Sequence, residues 1–240
     1  MSSGFLLDHA QGLTAGPALQ DGLTLLYSYR RCPYAMRARM ALLRAGRAVQ
    51  VHEIVLRDKP AAMLSASPKG TVPVLCLPDG RVIDESWQIM GWATAQHDDP
   101  AVARWWQQAQ TPENLALLQT NDGPFKAWLD RYKYPERFGL DEAGRAQVRA
   151  EALEAVLIPL EQRLQAAPWL GGAQPCATDV AIFPFVRQFA AVLPDAFTAL
   201  PLPALQAWLA HWQGSALFDA CMRKQAPNEV VLMGSGAPMA

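Results

Sequence analysis

Long hydrophobic runs and an early basic segment are both absent from this 240-residue sequence. No apolar run approaches the ~18–20 residues that a membrane-spanning helix needs, so we expect no membrane association. The first 21 residues contain no Lys or Arg. Because a secretory signal begins with basic residues, we expect none here and interpret residues 1–21 as a flexible leader.

An excess of one charge is missing as well, since 21 Lys and Arg stand against 22 Asp and Glu. The formal net charge of −1 gives no electrostatic argument for a nucleic acid partner or for an anionic membrane surface. Apolar residues make up 51% of the chain, which indicates a folded protein with one large or two small domains rather than a disordered one.

Closely spaced cysteines are also lacking. The four cysteines, Cys32, Cys76, Cys176 and Cys221, lie far apart, without the pair spacing of a metal site or of a disulfide framework. We therefore expect no metal, and a reducing cytoplasmic location in which thiol chemistry stays possible.

The first half of the chain alternates strand and helix patterns in the order βαβαββα, which predicts a domain over residues 22–97. Pro33 suits a first helical turn and Gly46 a helix end. A Pro-Asp-Gly turn at 78–80 separates the last two strands. The strands are predicted at 23–27, 49–55, 72–76 and 81–83, and the helices at 33–46, 59–66 and 86–96.

Beyond a polar, proline-terminated boundary at 97–100 the strand signal vanishes, so we predict an all-helical domain over residues 101–226 and a C-terminal tail over 227–240. Pro159 and Pro184 fall inside two of the predicted helices and are expected to kink or open them. The helical patterns cover 101–109, 113–121, 125–133, 142–166, 178–192, 203–213 and 215–225.

Cys32 is the first candidate for chemistry, because it follows a strand and directly precedes the helix that begins at Pro33. The N-terminus of a helix presents unpaired N–H groups and a partial positive charge, which favour a thiolate over a thiol. The alternative is a small buried residue without reactivity.

Two further features have both a functional and an ordinary interpretation. Pro73 interrupts an apolar strand, either as a trans proline of an edge strand or as a cis proline that leaves the Val72 backbone free to pair with an extended peptide. Ser86 is either a helix N-cap or, together with Glu85, a site for the head group of an amino acid.

Four segments, YSYRRCPYAMRARMAL, LRDKP, KGTVPVL and DESWQIM, occur in an order and spacing that resembles the glutathione S-transferases, most closely their cysteine-type, omega-like class. The resemblance covers residues 23–97 closely and the second half more loosely. It implies a thioredoxin-like βαβαββα domain followed by the all-helical C-terminal domain of that family. It also implies glutathione as co-substrate and a homodimer.

The resemblance assigns roles to individual residues. Cys32 would form a mixed disulfide with glutathione, and Lys59 would reach the glycine carboxylate. Val72, before a cis Pro73, would pair its backbone with the cysteinyl unit, and Glu85–Ser86 would hold the γ-glutamyl end. For Lys59 the alternative is a surface lysine without a specific role.

Ala35 stands where a dithiol enzyme of Cys-x-x-Cys type has its second cysteine, so Cys32 has no neighbouring thiol that could resolve a mixed disulfide. A second glutathione would then have to resolve the mixed disulfide. The expected activity is thiol transfer to, or reduction of, small disulfides, glutathionylated substrates or dehydroascorbate. Conjugation of small electrophiles, with Ser28 or Tyr34 stabilising the glutathione thiolate, is the alternative, and a non-catalytic scaffold is a third.

The helical half is expected to supply the acceptor pocket. Tyr34, Trp128 and Tyr132, with Tyr134, are candidates to line it, although aromatic residues at helical spacing also form cores. The family usually has Ser or Thr as the cap three residues before an Asp in its sixth helix. Here Cys176 holds that place before Asp179, which predicts a weaker or shifted cap.

Overall fold

The computed structural model describes residues 22–95 and 97–234. The expected leader over residues 1–21, Gln96 at the end of the third predicted helix, and tail residues 235–240 lie outside this part of the chain. Contacts divide the chain into two compact units, of which the first extends to residue 97 and resumes at residue 216, and the second comprises 98–215.

The first unit follows the predicted βαβαββα order, with small shifts at the ends of elements. Its elements are β1 (Leu25–Ser28), α1 (Pro33–Arg44), β2 (Val49–Glu53), α2 (Ala61–Ala66), β3 (Val74–Cys76), β4 (Val82–Ile83) and α3 (Ser86–Thr94). Strand β1 pairs in parallel with β2 and antiparallel with β3, and β4 pairs antiparallel with β3. The crossover through α1 is what allows β1 and β2 to run in parallel.

The prediction that no strand follows residue 97 is wrong. Strand β5 (Val230–Met233) pairs antiparallel with β2 and completes a sheet of order β4-β3-β1-β2-β5. Gly234, which follows β5, has φ +79°, and a Cβ there would lie 2.2 Å from the carbonyl oxygen of Arg47. Only glycine permits this close approach between the end of β5 and the turn before β2.

The second unit is all-helical within residues 98–215, as predicted. Its helices are α4 (Pro100–Gln108), α5 (Pro112–Thr120), α6 (Lys126–Lys133), α7 (Glu142–Ala152), α8 (Ile158–Ala166), α9 (Ala177–Ala190), α10 (Pro194–Thr198) and α11 (Pro203–Gln213). Of these, only the five-residue α10 has no counterpart among the predicted helices.

The last predicted helix is shorter than expected and belongs to the first unit. Its residues Ala216–Cys221 form α12, which packs on α1, and the buried Cys221 thiol lies 3.8 Å from the carbonyl oxygen of Met36. The expected domain boundary at 226 therefore differs from the boundary at 215 that the contacts give. A helical pattern alone does not indicate which unit a helix packs against.

Pro159 acts on its helix as predicted, and Pro184 does not interrupt its own. The chain opens into a π-helical segment at Leu153–Leu157, directly before Pro159 enters the first turn of α8. A proline cannot donate the usual backbone hydrogen bond, and its ring clashes with the carbonyl of the preceding turn; the wider π-helical turn leaves room for both effects. Helix α9 continues through Pro184.

Helix α9 begins at Ala177 with Cys176 as its N-cap, so the cap is not shifted. The Asp179 carboxylate accepts hydrogen bonds from the Cys176 amide at 3.0 Å, the Leu170 amide at 2.8 Å and the Trp208 indole N–H at 2.9 Å. Asp179 thereby ties the start of α9 to α11 and to the preceding loop.

Candidate active site

Cys32 is the N-cap residue of α1. Its backbone is extended, with φ −76° and ψ 124°, and its carbonyl accepts the first hydrogen bond of the helix from the Met36 amide at 2.9 Å. Its own amide donates to the Tyr29 carbonyl at 2.9 Å, which closes the turn between β1 and α1. The half-buried thiol therefore lies at the positive end of a twelve-residue helix, as the sequence predicts.

The backbone next to Pro73 meets this thiol. The Val72–Pro73 peptide is cis, and the Cys32 Sγ lies 3.5 Å from the Val72 carbonyl oxygen. Strand β3 begins only at Val74, so Val72 and Pro73 lie outside its ladder. This agrees with the cis interpretation of Pro73 and not with a trans proline of an edge strand.

Lys59 also approaches the loop that precedes Pro73. The lysine follows β2, and its Nζ lies 3.6 Å from the position that a Cβ of Gly70 would take. Gly70 has φ +62°, a conformation that favours glycine, and stands two residues before Val72. Lys59 thus lies beside the loop whose residue Val72 contacts the Cys32 thiol.

Glu85 and Ser86 lie where β4 gives way to α3, but the N-cap of α3 is Glu85. Ser86 is the buried first residue of the helix, and the Glu85 side chain makes no capping hydrogen bond. The interpretation of Ser86 as N-cap is therefore wrong. What the Glu85 carboxylate does bind is the ammonium group of Lys69, with its Oε1 2.6 Å from Nζ.

Sequence reasoning missed Lys69, although it stands in the quoted KGTVPVL segment. Its Nζ also lies 3.1 Å from Asp84 Oδ1, and the Ser67 hydroxyl donates to Asp84 Oδ2 at 2.7 Å. The hydrogen bond from Ser67, together with Lys69, lowers the pKa of Asp84 below its usual value. A lysine in a loop carries no periodic signal that would have marked it.

One loop therefore links the predicted glutathione residues. Between Ser67 and Pro73 it contacts Asp84 and Glu85 at its start, approaches Lys59 at Gly70 and meets Cys32 at Val72. A cationic group, an anionic group and the Cys32 thiol thus lie beside the same loop within the first unit.

The other three cysteines are in surroundings that disfavour thiolate formation or access. Burial raises the pKa of Cys76 to about 11. Burial, with the charge of Asp179, also raises the pKa of Cys176. Cys221 is fully buried. Ala35, at the place of a resolving cysteine, is fully buried too.

The structure does not bring the predicted acceptor residues together in one unit. Tyr34, in α1, is half-buried under the guanidinium of Arg37, whose Cζ lies 5.2 Å from the ring centroid. In the second unit the Trp128 indole donates to Glu151 at 3.0 Å, and Tyr132 is only 2% exposed and packs against Phe189. The burial of Tyr132 favours the core interpretation, and the acceptor role of these residues stays a prediction.

The fold and this site define a thioredoxin-like domain with a single cysteine at the start of its first helix, joined to a helical unit. Residues 26–101 match the glutathione S-transferase N-terminal domain, and residues 126–211 match the glutathione S-transferase C-terminal domain. Together these matches cover most of the chain. The chain belongs to the glutathione S-transferase family.

Relatives within the family are distant. The chain is 28% identical to glutathione S-transferase omega-1 of Mus musculus over 206 residues, which are 82% of this chain and 79% of the mouse protein. It is 36% identical to glutathione S-transferase omega-1 of Sus scrofa over 86 residues, which span only 36% of each chain. It is 27% identical to glutathione S-transferase DHAR2 of Arabidopsis thaliana over 148 residues, which are 55% of this chain and 65% of that protein.

Solved structures confirm the fold. A glutathione transferase family member from Pseudomonas fluorescens pf-5, with two glutathione bound, superposes with a TM-score of 0.72 at 17% identity, covering 86% of this chain and 95% of that one. The bacterial enzyme BphK superposes with a TM-score of 0.68 at 23% identity, covering 83% and 98%. Likeness at such identity establishes the architecture alone.

Residues 22–95 and 97–234 contain neither a membrane span nor a metal-binding cluster. No helix in this part is long and apolar enough to cross a bilayer. No group of three or more His, Cys, Asp or Glu side chains there is placed to hold a metal ion.

Proposed function

We propose that the protein is a glutathione-dependent thiol transferase or reductase that works through a mixed disulfide between Cys32 and glutathione. The observation that carries the proposal is the meeting of the Cys32 thiol, at the N-terminus of α1, with the Val72 carbonyl beside the cis Pro73. A peptide that pairs with the Val72 backbone, which lies outside the β3 ladder, would have its own cysteine brought to Cys32.

The remaining predicted residues suit the two ends of glutathione. In the proposal, the Lys59 ammonium binds the glycine carboxylate, and Glu85 with Ser86 binds the γ-glutamyl group. The loop of residues 67–73 contacts Glu85 through Lys69, approaches Lys59 at Gly70 and meets Cys32 at Val72, which supports an extended tripeptide lying beside it. Omega-1 proteins of mouse and pig and the Arabidopsis DHAR2 protein, among the relatives, support the omega-like class.

The proposed cycle exchanges one disulfide for another in each step. The Cys32 thiolate attacks the glutathionyl sulfur of a mixed disulfide substrate, which forms the Cys32–glutathione disulfide and releases the substrate as a thiolate. A second glutathione thiolate then attacks the glutathionyl sulfur on Cys32, which releases glutathione disulfide and regenerates the Cys32 thiolate. Ala35 gives the first disulfide no neighbouring thiol at the usual position. Glutathionylated substrates, and small disulfides after exchange with glutathione, are the proposed oxidants of this first step. Dehydroascorbate, the other proposed oxidant, would instead take two electrons and two protons from the Cys32 thiol and one glutathione, which gives ascorbate and the Cys32–glutathione disulfide that the second step resolves.

The test is the glutathione-dependent reduction of bis(2-hydroxyethyl) disulfide, followed in the wild type and in Cys32→Ala. We expect the variant to lose this activity, and mass spectrometry of the intact wild-type protein after exposure to glutathione disulfide to show one glutathione per chain on Cys32. Activity that survives unchanged in Cys32→Ala would refute the proposal.

Conjugation of glutathione to electrophiles is the rival activity, and the structure disfavours one of the two residues predicted to stabilise the glutathione thiolate in it. Ser28, one candidate to stabilise a glutathione thiolate, is fully buried in β1. If 1-chloro-2,4-dinitrobenzene were conjugated faster by Cys32→Ser than by the wild type, while disulfide reduction stayed negligible in both, conjugation would be the favoured function. Glutathione that fails to bind at millimolar concentration would favour a non-catalytic scaffold.

We also propose that the protein works as a homodimer in the cytoplasm, as the family resemblance implies. Light scattering of the purified protein tests the oligomeric state directly, and a mass of one chain at micromolar concentration would contradict it.

A further inference from the structure

A pocket of about 480 Å³ lies in the first unit, and its lining contains none of the predicted glutathione residues. Its volume is within the range of about 300–1,000 Å³ that is usual for small-molecule sites. Three segments that are far apart in the sequence form its walls. They are the turn before Cys32 (Tyr29, Arg30, Arg31), the chain from the end of β2 onward (Glu53, Ile54, Val55, Leu56, Arg57), and the chain after α12 (Lys224, Gln225, Pro227).

The lining of this pocket is strongly cationic. It contains four basic side chains, those of Arg30, Arg31, Arg57 and Lys224, and one carboxylate, that of Glu53. In the described ranges, neither Arg57 nor Lys224 forms an ion pair with an acidic side chain. The chain as a whole has a net charge of −1, so this concentration of positive charge is local.

The single carboxylate of the lining already has partners. Glu53 is 8% exposed, its Oε1 accepts a hydrogen bond from the Arg30 amide at 2.8 Å, and its Oε2 lies 3.5 Å from Nη1 of the fully buried Arg39. With Arg39 behind it, Glu53 does not neutralise the outer cations. An anion that enters the pocket therefore meets Arg57 and Lys224, which no described carboxylate neutralises.

Two backbone hydrogen bonds and one from a side chain hold the third wall in place. The Asn228 amide donates to the Glu53 carbonyl at 2.8 Å, the Glu53 amide donates to the Glu229 carbonyl at 3.1 Å, and the Arg30 guanidinium donates to the Met222 carbonyl at 3.3 Å. These bonds fix both ends of the stretch that carries Lys224 and Gln225. The cationic wall is thus part of the folded unit.

An unpaired acceptor in the lining points to the kind of ligand. The Gln225 Oε1 atom is buried and has no hydrogen-bond donor among the described residues. A buried acceptor without a donor costs free energy that a ligand N–H would recover. Cations for carboxylates and an acceptor for an N–H together favour an anionic peptide over inorganic phosphate or an apolar molecule.

We infer that this pocket binds the carboxylates of an anionic peptide thiol, and that in the proposed cycle this thiol is the second glutathione, which resolves the Cys32 mixed disulfide. The inference rests on the proposed function. Its geometric basis is the turn of Tyr29, Arg30 and Arg31, which forms one wall of the pocket and ends at Cys32, whose amide donates to the Tyr29 carbonyl at 2.9 Å. The incoming glutathione thiolate attacks the glutathionyl sulfur, glutathione disulfide leaves, and Cys32 retains the electron pair as thiolate.

The test separates the second glutathione from the first by attaching the first covalently. Wild-type protein is converted to the Cys32–glutathione disulfide with glutathione disulfide, excess reagent is removed, and the rate of resolution is followed by mass spectrometry with either glutathione or uncharged 2-mercaptoethanol as the attacking thiol. The variants are Arg57→Ala, Lys224→Ala and the double substitution. Arg223→Ala is the matched control, because Arg223 is exposed, adjacent in sequence and outside the lining.

In the double variant we expect the rate with glutathione to fall about tenfold, as for the loss of two partly exposed charge contacts. We expect the rate with 2-mercaptoethanol to change less than twofold, and Arg223→Ala to change neither rate. An equal loss with both thiols, or no loss with glutathione, would overturn the inference.

Failure of the proposed function can be distinguished from failure of the pocket assignment, because without the proposed function no mixed disulfide forms on Cys32 in the first step. The pocket is in that case tested by calorimetry with S-methylglutathione, which keeps both carboxylates and the N–H groups but does not react. We expect two molecules per chain in the wild type and in Arg223→Ala, and one in the double variant. Equal stoichiometry in the wild type and the double variant would contradict the pocket assignment independently of any reaction.

Discussion

The Sγ atom of Cys32 lies 3.5 Å from the carbonyl oxygen of Val72, so the thiol and a backbone group that is outside the sheet ladder face each other directly. In this contact the thiol donates to the carbonyl. An extended peptide that pairs with the Val72 backbone would lie next to this sulfur, which makes the contact the centre of the proposed site.

The surroundings of the four cysteines predict selective alkylation. At pH 8, iodoacetamide is expected to modify Cys32 in the native protein and to leave Cys76, Cys176 and Cys221 unmodified. With a pKa of about 11, Cys76 is a thiolate in only about one molecule in a thousand at that pH. Cys176 and Cys221 are buried. Intact mass followed by peptide mapping measures the outcome.

The control for this labelling is Cys32→Ala, which should take up no label in the native state and three labels in urea. A native wild-type protein that is labelled first at Cys76 would contradict the assignment of Cys32 as the reactive thiol.

Lys69 is predicted to compete with the ligand for Glu85. Its ammonium lies 2.6 Å from Glu85 Oε1, on the carboxylate proposed to bind the ammonium of the γ-glutamyl group. Lys69→Met removes the competing charge and keeps the length of the side chain. We therefore expect several-fold tighter binding of S-methylglutathione at its tighter site, measured by calorimetry at low salt. The difference should shrink in 0.5 M NaCl, because the pair is exposed.

Lys69→Arg keeps the charge and serves as the matched control, with an expected affinity close to that of the wild type. Weaker binding by Lys69→Met would instead mean that Lys69 contacts a carboxylate of the ligand.

Local signals explain why most of the first unit was predictable. Pro33 begins α1 and Cys32 precedes it, as in the sequence interpretation, because the preference of proline for the first helical turn is a local property. Strand β5 was missed because its partner β2 lies about three quarters of the chain length earlier, and four apolar residues do not show which strand they pair with. Long-range pairing is a tertiary property that composition does not reveal.

The candidate site also combines residues that local motifs predicted with a residue whose surroundings only the structure shows. Cys32, Lys59 and Glu85 stand in quoted motifs, and the structure places each beside the loop that contains Gly70 and Val72. Arg39, by contrast, has a charge that is typical of a solvent-facing helix position, and yet it is fully buried. Its burial beside Glu53 could not be inferred from the pattern of α1 alone.

His52 is predicted to make stability depend on pH. The side chain is 2% exposed and lies against the ring of Tyr27, with centroids 5.4 Å apart. Burial lowers the pKa of His52 below 6.5, and a hydrogen bond with Asn228 acts in the opposite direction. Because the unfolded chain binds this proton more readily than the folded one, the free energy of unfolding should rise with pH in the window below about 6.5 and level off above it.

Urea denaturation at pH 5.5 and pH 7.5 measures this dependence, and His52→Phe is the comparison because it keeps a ring against Tyr27 but does not titrate. We expect the difference in unfolding free energy between the two pH values to be smaller in His52→Phe than in the wild type. An unchanged difference would assign the pH dependence to other groups.

The buried pair of Arg39 and Glu53 is predicted to be strongly coupled. The two side chains approach to 3.5 Å and are 1% and 11% exposed, and none of the three guanidinium nitrogens of Arg39 has a hydrogen-bond partner in the described chain. Glu53→Gln would leave this cation buried without a counter-charge, which costs about 3 kcal/mol of unfolding free energy. Arg39→Met should cost less, because Glu53 keeps its hydrogen bond from the Arg30 amide.

The double variant Arg39→Met with Glu53→Gln should be more stable than Glu53→Gln alone, because no unpaired charge then remains inside the unit. Urea denaturation of the four proteins gives the coupling free energy directly, and additive losses would show that the pair is not coupled.

The same double variant tests whether the pair affects Cys32. The side-chain amide oxygen that Glu53→Gln introduces can still accept the hydrogen bond from the Arg30 amide, two residues before Cys32. We therefore expect the rate of Cys32 alkylation in the double variant to stay within about threefold of the wild-type rate, which is less than the effect of losing one neutral hydrogen bond.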